Sequence, residues 1–373
     1  MTKQNKISLK PVKKAIKHNK FSGIGFKLIL AFIVMCIPIS VLGYISQQKA
    51  TVALRESASN STIQTMEQSS KYLNLIFSTV NDTSMQIMSN KTVQDYAQSM
   101  HTNIGAYEKM KLREDAEQFL STYTYSNQFI ENISIIMENG ESLNVSSAIS
   151  DEDLENLKNT KWYSDAVELG GQPIWIGWHK ELDELKSNYS RNYSMSCIRV
   201  LKSMNTGKTA GLIVIDVKDE PIEELMSGIK LGNSGEIHLL SPDGRDISST
   251  HFASEDDEEP MTSEEIEEAT SSFLSQPFIS DIMESEEQSD NSDVTYNGKS
   301  HLMVYNKLPH SGYSIIGLIP SKDLLSAASS IRKTTVGLML FSIVFAIALG
   351  AYIALGMGSA INEIVKAANT AAK

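Results

Sequence analysis

Two long runs of apolar residues, one near each end of the chain, dominate its hydrophobic pattern. Residues 28–45 (LILAFIVMCIPISVLGYI) and residues 334–357 contain no charged side chain. A helix of about 20 apolar residues crosses the hydrocarbon core of a bilayer. The pattern therefore predicts two transmembrane helices. A cleaved signal peptide, the alternative for the first run, would require a small-residue cleavage site, and none follows residue 45.

A heptad pattern follows the first predicted span and extends to about residue 100. Apolar and small residues recur there at alternating steps of three and four: Ile63, Met66, Ser70, Leu73, Phe77, Val80, Ser84 and Ile87. This spacing places them on one side of a helix. We expect one long helix whose stripe packs against its own domain, against a second copy of the chain, or against both along different parts of its length.

Alternation with a period of two begins after residue 130 and predicts strands. Such segments are found at 133–137, 143–145, 194–204, 209–217, 235–240, 246–250, 300–308 and 313–319. Turn signals such as Asn139-Gly140 separate neighbouring segments. Helices are predicted between them at 108–122, 151–169 and 220–227. The order of elements repeats, which predicts two α+β modules, each an antiparallel sheet with helices on one side.

The charge distribution gives the expected orientation in the membrane. The chain has a net charge of −12, yet residues 1–27 contain eight Lys and no Asp or Glu. Basic flanks stay in the cytoplasm, and two spans return the carboxyl terminus to the same side. We therefore expect an acidic middle segment, 46–333, outside the cell. The acidic total also argues against a nucleic-acid partner. The two cysteines, Cys36 and Cys197, cannot form a disulfide framework.

Metal, cofactor and catalytic sites are not expected. Residues 255–293 hold fifteen acids and no Lys or Arg, but they lack the spacing of a calcium loop, so a solvated and partly mobile acidic insert is predicted instead. Four of the seven histidines, His179, His238, His301 and His310, lie apart without metal-ligand spacing. No nucleophile elbow, phosphate loop or metalloprotease motif is found, and we expect no enzymatic activity and no cofactor.

The arrangement resembles the sensory half of a bacterial methyl-accepting chemotaxis protein with a double Cache domain. The motifs that carry the resemblance are Trp162-Tyr163-Ser164-Asp165-Ala166, Gly232-Asn233-Ser234-Gly235-Glu236, Ser241-Pro242-Asp243-Gly244-Arg245 and Gly317-Leu318-Ile319-Pro320. Residues 361–373 resemble the first helix of a HAMP module, with Ala360 where a Pro is common. The resemblance implies two tandem PAS-like modules on a long amino-terminal helix, flanked by two transmembrane helices.

The implied boundaries follow from this comparison. They are a cytoplasmic tail (1–27), a first span (28–45), a long helix (46–105), a distal module (106–228), a proximal module (229–325), a second span (334–357) and the start of HAMP (358–373). The protein is expected in the bacterial cell membrane with both termini in the cytoplasm.

The resemblance also implies a ligand pocket in the distal module. Trp162, Tyr163 and Asp216 match the family's amino-acid site, whereas Thr160 replaces a usual Arg, Trp175 a Tyr and Gly177 an Asp. Tyr193 and Trp178 are candidates for the aromatic wall. An aromatic box with one carboxylate suits an amine or another cation. A modified amino-acid site, and no direct ligand at all, stay open as alternatives.

The output implied by the resemblance is chemotaxis signalling through HAMP. The expected partners are a second copy of the chain in a homodimer and a cytoplasmic kinase with its coupling protein. Sensor histidine kinases share this kind of input half, so the input half of a two-component system is the alternative function.

Overall fold

The structure is a computed structural model that describes residues 24–145, 149–186, 192–251, 270–324, 333–353 and 370. Most of the predicted basic tail and nearly all of the predicted HAMP helix lie outside these residues. The chain divides into two compact units: Arg55–Leu325 forms one, and Met1–Leu54 with Ser326–Lys373 forms the other.

The long predicted helix is present, but it breaks at Asn90, before the predicted end at residue 105. Helix α1 covers Ile24–Ser89 and α2 covers Lys91–Ser99. The break lies at Asn90, whose backbone is extended (φ −70°, ψ 131°) and whose side chain accepts hydrogen bonds from the amides of Thr92 and Val93. Asparagine is a preferred N-cap residue because its side chain satisfies these otherwise unpaired donors. The Asn90 side chain therefore caps the start of helix α2.

The heptad stripe of α1 packs against its own domain. Of its members, Met66, Ser70, Leu73, Phe77, Val80, Ser84 and Ile87 are buried, and the apolar ones belong to a core that includes strands of both modules. Burial of this stripe fixes α1 along the two sheets.

The distal module contains a five-stranded antiparallel sheet. Its strands are β1 (Ile130–Met137), β2 (Ser142–Leu143), β3 (Ile174–Ile176), β4 (Tyr193–Lys202) and β5 (Thr209–Lys218), in the spatial order β2-β1-β5-β4-β3. Gly211 allows β5 to approach its neighbour β1 closely. An added Cβ at this position would lie 2.2 Å from the Ile136 carbonyl oxygen. Among the described residues, strand β3 pairs with β4 alone and lies at the edge of the sheet.

Helices cover this sheet on both faces, so the prediction of helices on one side is wrong for the distal module. Besides α1, they are α3 (Ala106–Ser126), α4 (Asp151–Lys158), α5 (Lys161–Glu168) and α6 (Lys180–Asp183). Helices α1 and α3 pack on one face and α4, α5 and α6 on the other. The single helix predicted over 151–169 is two helices, because the Thr160 side chain caps α5 by accepting from the Tyr163 amide. Strand β3 and helix α6 are too short for a periodic pattern to predict them.

The proximal module repeats the same sheet order. Helix α7 (Asp219–Gly228) connects the modules, and the second sheet consists of β6 (Glu236–Leu240), β7 (Asp246–His251), β8 (Ser289–Tyr296), β9 (Lys299–Lys307) and β10 (Ser314–Pro320), ordered β7-β6-β10-β9-β8. Helix α8 (Pro277–Glu284) and the short α9 (Ser321–Leu324) complete it. Two antiparallel α+β modules on a long helix are thus confirmed.

The acidic insert is more regular than predicted. Residues 277–293 form α8 and most of the edge strand β8 rather than a mobile segment. Phe278, Ile279 and Ile282 anchor α8 in a small core of the proximal module. The acids of β8 lie on its exposed positions, where they do not interrupt the pairing with β9. Residues 252–269, the first part of the insert, lie outside the described residues.

The other unit contains apolar helical segments. Within the described residues, one helix, Lys333–Ile353, is long and apolar enough to cross a membrane. Its large side chains, including Leu338, Phe341 and Val344, are exposed. The first predicted span forms the beginning of α1. Gly43 of that segment approaches the second helix, since a Cβ there would lie 2.5 Å from the Met339 side chain.

Candidate functional site

A fully buried histidine, His179, lies at the centre of the distal module on the face of the sheet away from α1. It precedes α6, and its Nε2 lies 2.7 Å from Oδ1 of Asp216 on β5. Its Nδ1 lies 3.0 Å from Oδ1 of Asp183 at the end of α6. Both ring nitrogens therefore face carboxylates, and a protonated imidazole can donate to both.

A lysine supplies the second cation of the cluster. The Lys186 Nζ donates to Asp216 Oδ2 at 3.2 Å and reaches Asp183 Oδ1 at 3.5 Å. The Ser196 hydroxyl donates to Asp216 Oδ1 at 2.8 Å. Both oxygens of Asp216 are thus engaged by groups of the protein itself.

Aromatic donors complete the surroundings of Asp183. The Tyr193 hydroxyl donates to its Oδ2 at 2.6 Å, and the Trp178 indole N–H donates to the same oxygen at 2.9 Å. The rings of Tyr193 and His179 stack with centroids 4.9 Å apart. The term His179 cluster refers below to His179, Asp183, Lys186, Tyr193, Ser196 and Asp216.

The charges of the His179 cluster balance one another. Burial opposes protonation of His179, but the charge of Asp216 and hydrogen bonds to Asp183 and Asp216 outweigh it and raise its pKa to about 9. Burial works against the charged form of Asp216 as well, yet His179 and Lys186 hold its pKa well below the usual range. One imidazolium and one ammonium then face two carboxylates, which is the condition for keeping such charges buried.

The structure brings some of the predicted site residues together. Asp216 and Tyr193 are joined through His179 and Asp183, as described above. Trp162 and Tyr163 lie on α5 against the same face, and the Trp162 ring is 6.5 Å from that of His179. Trp162 donates its indole N–H to Glu181 at 3.3 Å, so it does not contact Asp216 through this group.

Trp175 lies on the other face of the sheet. Trp175 lies opposite Cys197 in the pairing of β3 with β4, and Cys197 lies opposite Ile215 in the pairing of β4 with β5. All three side chains belong to the core beneath α1. Asp216 follows Ile215, and successive side chains of a strand point to opposite faces. The Trp175 ring packs edge to face on Phe77 of α1, with centroids 4.5 Å apart. The structure therefore separates Trp175 from Asp216.

Sequence reasoning did not identify His179, Asp183 and Lys186 as site residues. One signal was present: His179 and Asp183 are four residues apart, the spacing at which side chains meet on a helix. Within the part of the chain that the structure describes, no group of His, Cys, Asp and Glu is arranged to hold a metal ion.

A cleft of about 680 Å³ lies beside the His179 cluster, along the edge strand β3. Helix α5 and strand β3 line one side, and the turns at 242–245 and 309–312 of the proximal module line the other. All three tryptophans of the chain, Trp162, Trp175 and Trp178, line it. We call it the tryptophan cleft.

A second buried histidine lies in the proximal module. His238 Nδ1 is 2.7 Å from Asp246 Oδ2, and its ring stacks on Phe273 with centroids 3.5 Å apart. Burial opposes its protonation, but Asp246 and Glu236 raise its pKa. Each module therefore holds one imidazole between carboxylates.

Comparison with known proteins gives one family match. The family model of the Cache domain matches residues 44–328. None of the curated proteins matches the chain.

Several solved structures have a similar fold at low identity. The ligand-binding domain of Mlp24 with asparagine is 12% identical, with a TM-score of 0.47 over 76% of this chain and 99% of that one. The ligand-binding domain of the Pseudomonas fluorescens chemoreceptor CtaA with L-isoleucine is 15% identical, with a TM-score of 0.42 over 74% and 97%. The Campylobacter jejuni chemoreceptor Tlp3 domain with 4-methylisoleucine is 13% identical, with a TM-score of 0.45 over 73% and 94%.

Proposed function

The chain belongs to the Cache domain family, and from this premise we propose that it is the sensory half of a bacterial transmembrane chemoreceptor. The Cache sensory domain faces the outside of the cell and detects a small molecule. The observation that carries the proposal is the family match over 44–328, which is bounded on both sides by the apolar segments 28–45 and 334–357.

The membrane location is supported by exposed apolar side chains. In the helix Lys333–Ile353 they include Phe341, Phe345 and Tyr352, and at the beginning of α1 they include Met35 and Leu42. Exposed apolar surface of this extent is unfavourable in water and favourable in lipid. Gly43 and Met339 approach closely, which supports contact between the two spans. Small residues such as glycine allow membrane helices to pack closely in this way.

The proposed signal is a change in the distal module that α1 and the second span carry to the cytoplasm. Ligand binding shifts the strands that pack on α1, and the second span is displaced relative to the first. A ligand can drive this change only through its differential affinity for two conformations. No catalytic role is proposed for the residues of this chain. Chemotaxis signalling through HAMP is the proposed output, and control of a histidine kinase is the alternative.

Cysteine labelling on intact cells tests the topology. Cys197 is fully buried and Cys36 lies in the first predicted span, so background labelling by a membrane-impermeant maleimide is expected to be low. Tyr125, 91% exposed on α3, is the position for a reporter. We expect Tyr125→Cys to be labelled in intact cells and Lys6→Cys to be labelled only after lysis. The reverse pattern would refute the receptor orientation.

A fusion distinguishes sensing from a purely structural role. Residues 1–373 are joined in the HAMP helix to the signalling part of a characterised chemoreceptor, and the activity of its associated kinase is followed during a screen of amines, amino acids and organic acids. A ligand-dependent change in kinase activity is expected. If such ligands bind the domain and kinase activity never changes, the chemoreceptor output is wrong.

A further inference from the structure

We propose that the tryptophan cleft is a binding site for a small organic cation that also carries a hydrogen-bond acceptor. This inference rests on the proposed sensory function and assigns the ligand to a place between the modules rather than to the neighbourhood of Asp216. Four features of the cleft carry it: its aromatic lining, its charge, the cation it already holds and an unpaired donor.

The size and lining of the cleft fit a small organic molecule. Its volume of about 680 Å³ lies within the usual range of ligand sites. Trp162, Trp175 and Trp178 all line it, with Trp162 and Trp175 presenting only their edges because they are largely buried, and Pro173, Pro242 and Pro309 add further apolar contacts. Such a lining favours ligands with an apolar body.

The charges around the cleft favour a cation. Four carboxylates line it, on Asp165, Glu168, Glu181 and Asp243, against two cationic side chains, on Lys161 and Arg245. An excess of one sign of charge in a concave site raises the local concentration of the opposite ion. An anionic ligand would be opposed by this excess.

The cleft already holds one cation against an aromatic face. The Arg245 guanidinium lies 5.5 Å from the centroid of the Trp178 ring, and its Nε donates to Asp243 at 2.9 Å. The Arg245 side chain is about half exposed, so it can leave this position. A ligand cation that stacks on Trp178 would take the place of Arg245 and make the same kind of contact.

An unpaired donor indicates the second ligand group. Trp175 is 4% exposed, and among the described residues its indole Nε1 has no hydrogen-bond partner. A buried N–H without a partner is unfavourable, and a ligand oxygen would satisfy it. A hydroxyl or carbonyl oxygen on the cation meets this requirement.

The neighbourhood of Asp216 is a poorer site for the same ligand. Its carboxylate is about 1% exposed and already engages His179, Lys186 and Ser196. An incoming ammonium would have to compete with His179 and Lys186 for a carboxylate whose charge the protein already neutralises. The cleft requires only that the half-exposed Arg245 move.

Choline is a suitable probe, because it combines a quaternary ammonium with a hydroxyl. Every tryptophan of the chain lines the cleft, so intrinsic tryptophan fluorescence of the full chain in dodecyl maltoside reports its occupation directly. We expect a saturable change with choline. The neutral isostere 3,3-dimethyl-1-butanol is expected to bind about tenfold more weakly because it lacks the cation–π and ionic contributions. Tetramethylammonium, which has no oxygen, is expected to bind with an affinity between those of choline and the neutral isostere.

Matched variants locate the site. Asp165→Asn with Glu168→Gln removes two charges of the cleft from α5 and is expected to weaken choline binding severalfold. Glu152→Gln with Glu155→Gln makes the same change on exposed positions of α4 outside the cleft, and no effect is expected. Arg245→Gln removes the resident cation and is expected to strengthen binding.

Three results would overturn the proposal. They are the absence of a saturable change with choline, equal binding of choline and its neutral isostere, and loss of binding in Asp216→Asn with none in the α5 variant, which would place the ligand in the distal module. In each case the kinase fusion would still be able to respond to a different ligand, so the proposed function is tested separately.

Discussion

At the scale of single residues, the buried imidazoles show how charge is retained inside this domain. His179 and His238 are both fully buried, and each faces two carboxylates. A protonated histidine in such a place satisfies carboxylates that would otherwise be buried without counter-charge. The protonation state of these residues is therefore part of the stability of the fold.

Domain stability should fall as the pH rises above neutrality. The pKa of folded His179 is raised to about 9 from an ordinary value near 6.5. Its contribution is complete below the ordinary pKa and is lost as the pH rises through the folded pKa, with a slope of up to about 1.4 kcal/mol per pH unit. The raised pKa of His238 acts in the same direction. The lowered pKa values of Asp183 and Asp216 give the opposite dependence in acid, below about pH 4.

Chemical denaturation of the full chain in detergent between pH 5 and pH 9.5 measures this dependence. Asp183→Asn removes one carboxylate from His179 and should move the alkaline loss of stability to lower pH. The comparison concerns the position of the loss along the pH axis, so a general destabilisation of the variant does not obscure it. A flat profile from pH 6 to pH 9 in the wild-type protein would show that His179 is neutral in the fold.

At the scale of elements, α1 illustrates how one helix serves two sheets. Its buried stripe contributes Leu73, Phe77 and Val80 to the shared core, while Tyr72 and Leu75 on the opposite side stay partly exposed. The stripe therefore contributes to the stability of the domain itself rather than being reserved for a second copy of the chain.

Two leucines on this helix provide a matched test. Leu73→Ala removes a fully buried side chain and should lower the free energy of unfolding by about 2–5 kcal/mol. Leu75→Ala makes the same change at a position that is 54% exposed, and it should leave stability almost unchanged because Ala is the better helix former. Urea unfolding followed by circular dichroism measures both. Similar losses in the two variants would mean that the exposed side of α1 is buried in the native assembly.

Much of this architecture could be predicted from periodicity. The paired segments of β4 and β5, and of β9 and β10, are runs of seven to ten residues rich in apolar and β-branched side chains between clear turns, which is sufficient to identify strands. Strand β3 and helix α6 are three and four residues long, and only their tertiary neighbours stabilise them. Strand β8 carries acids at exposed positions, and its sequence alone therefore predicts a solvated segment rather than a strand.

Some residues of the candidate site can be predicted from the sequence, but their arrangement in space cannot. Asp216 and Tyr193 do lie together in the distal module. The separation of Trp175 from Asp216 depends on the pairing register of β3 with β4, which no local pattern determines. The charge partners of Asp216, His179 and Lys186, lie just before and just after α6, in a segment whose position depends on the completed fold.

At the scale of the whole molecule, the unit Arg55–Leu325 has one main core that both modules share. Phe77 contacts Trp175 of the distal module and lies 5.3 Å from the Tyr313 ring of the proximal module. A common core of this kind couples the two sheets in folding.

Loss of Phe77 should therefore destabilise both modules together. In Phe77→Ala, amide hydrogen exchange is expected to accelerate in β1–β5 and in β6–β10 by similar factors, because both sheets open with the same unfolding event. Phe77→Leu, which retains most of the volume, should show a smaller effect of the same form. Faster exchange in only one sheet would show that the modules unfold independently.

The acidic edge strand β8 has a consequence for the behaviour of the protein at high local density. Asp290 and Asp293 are exposed on the last strand of the proximal sheet, and Asp293 forms an ion pair with Arg55 at 2.6 Å. An open sheet edge is a template on which foreign strands can add, and like charges at that edge repel an identical neighbour. Copies of this domain held at high local density would thus be kept from joining their sheets into aggregates.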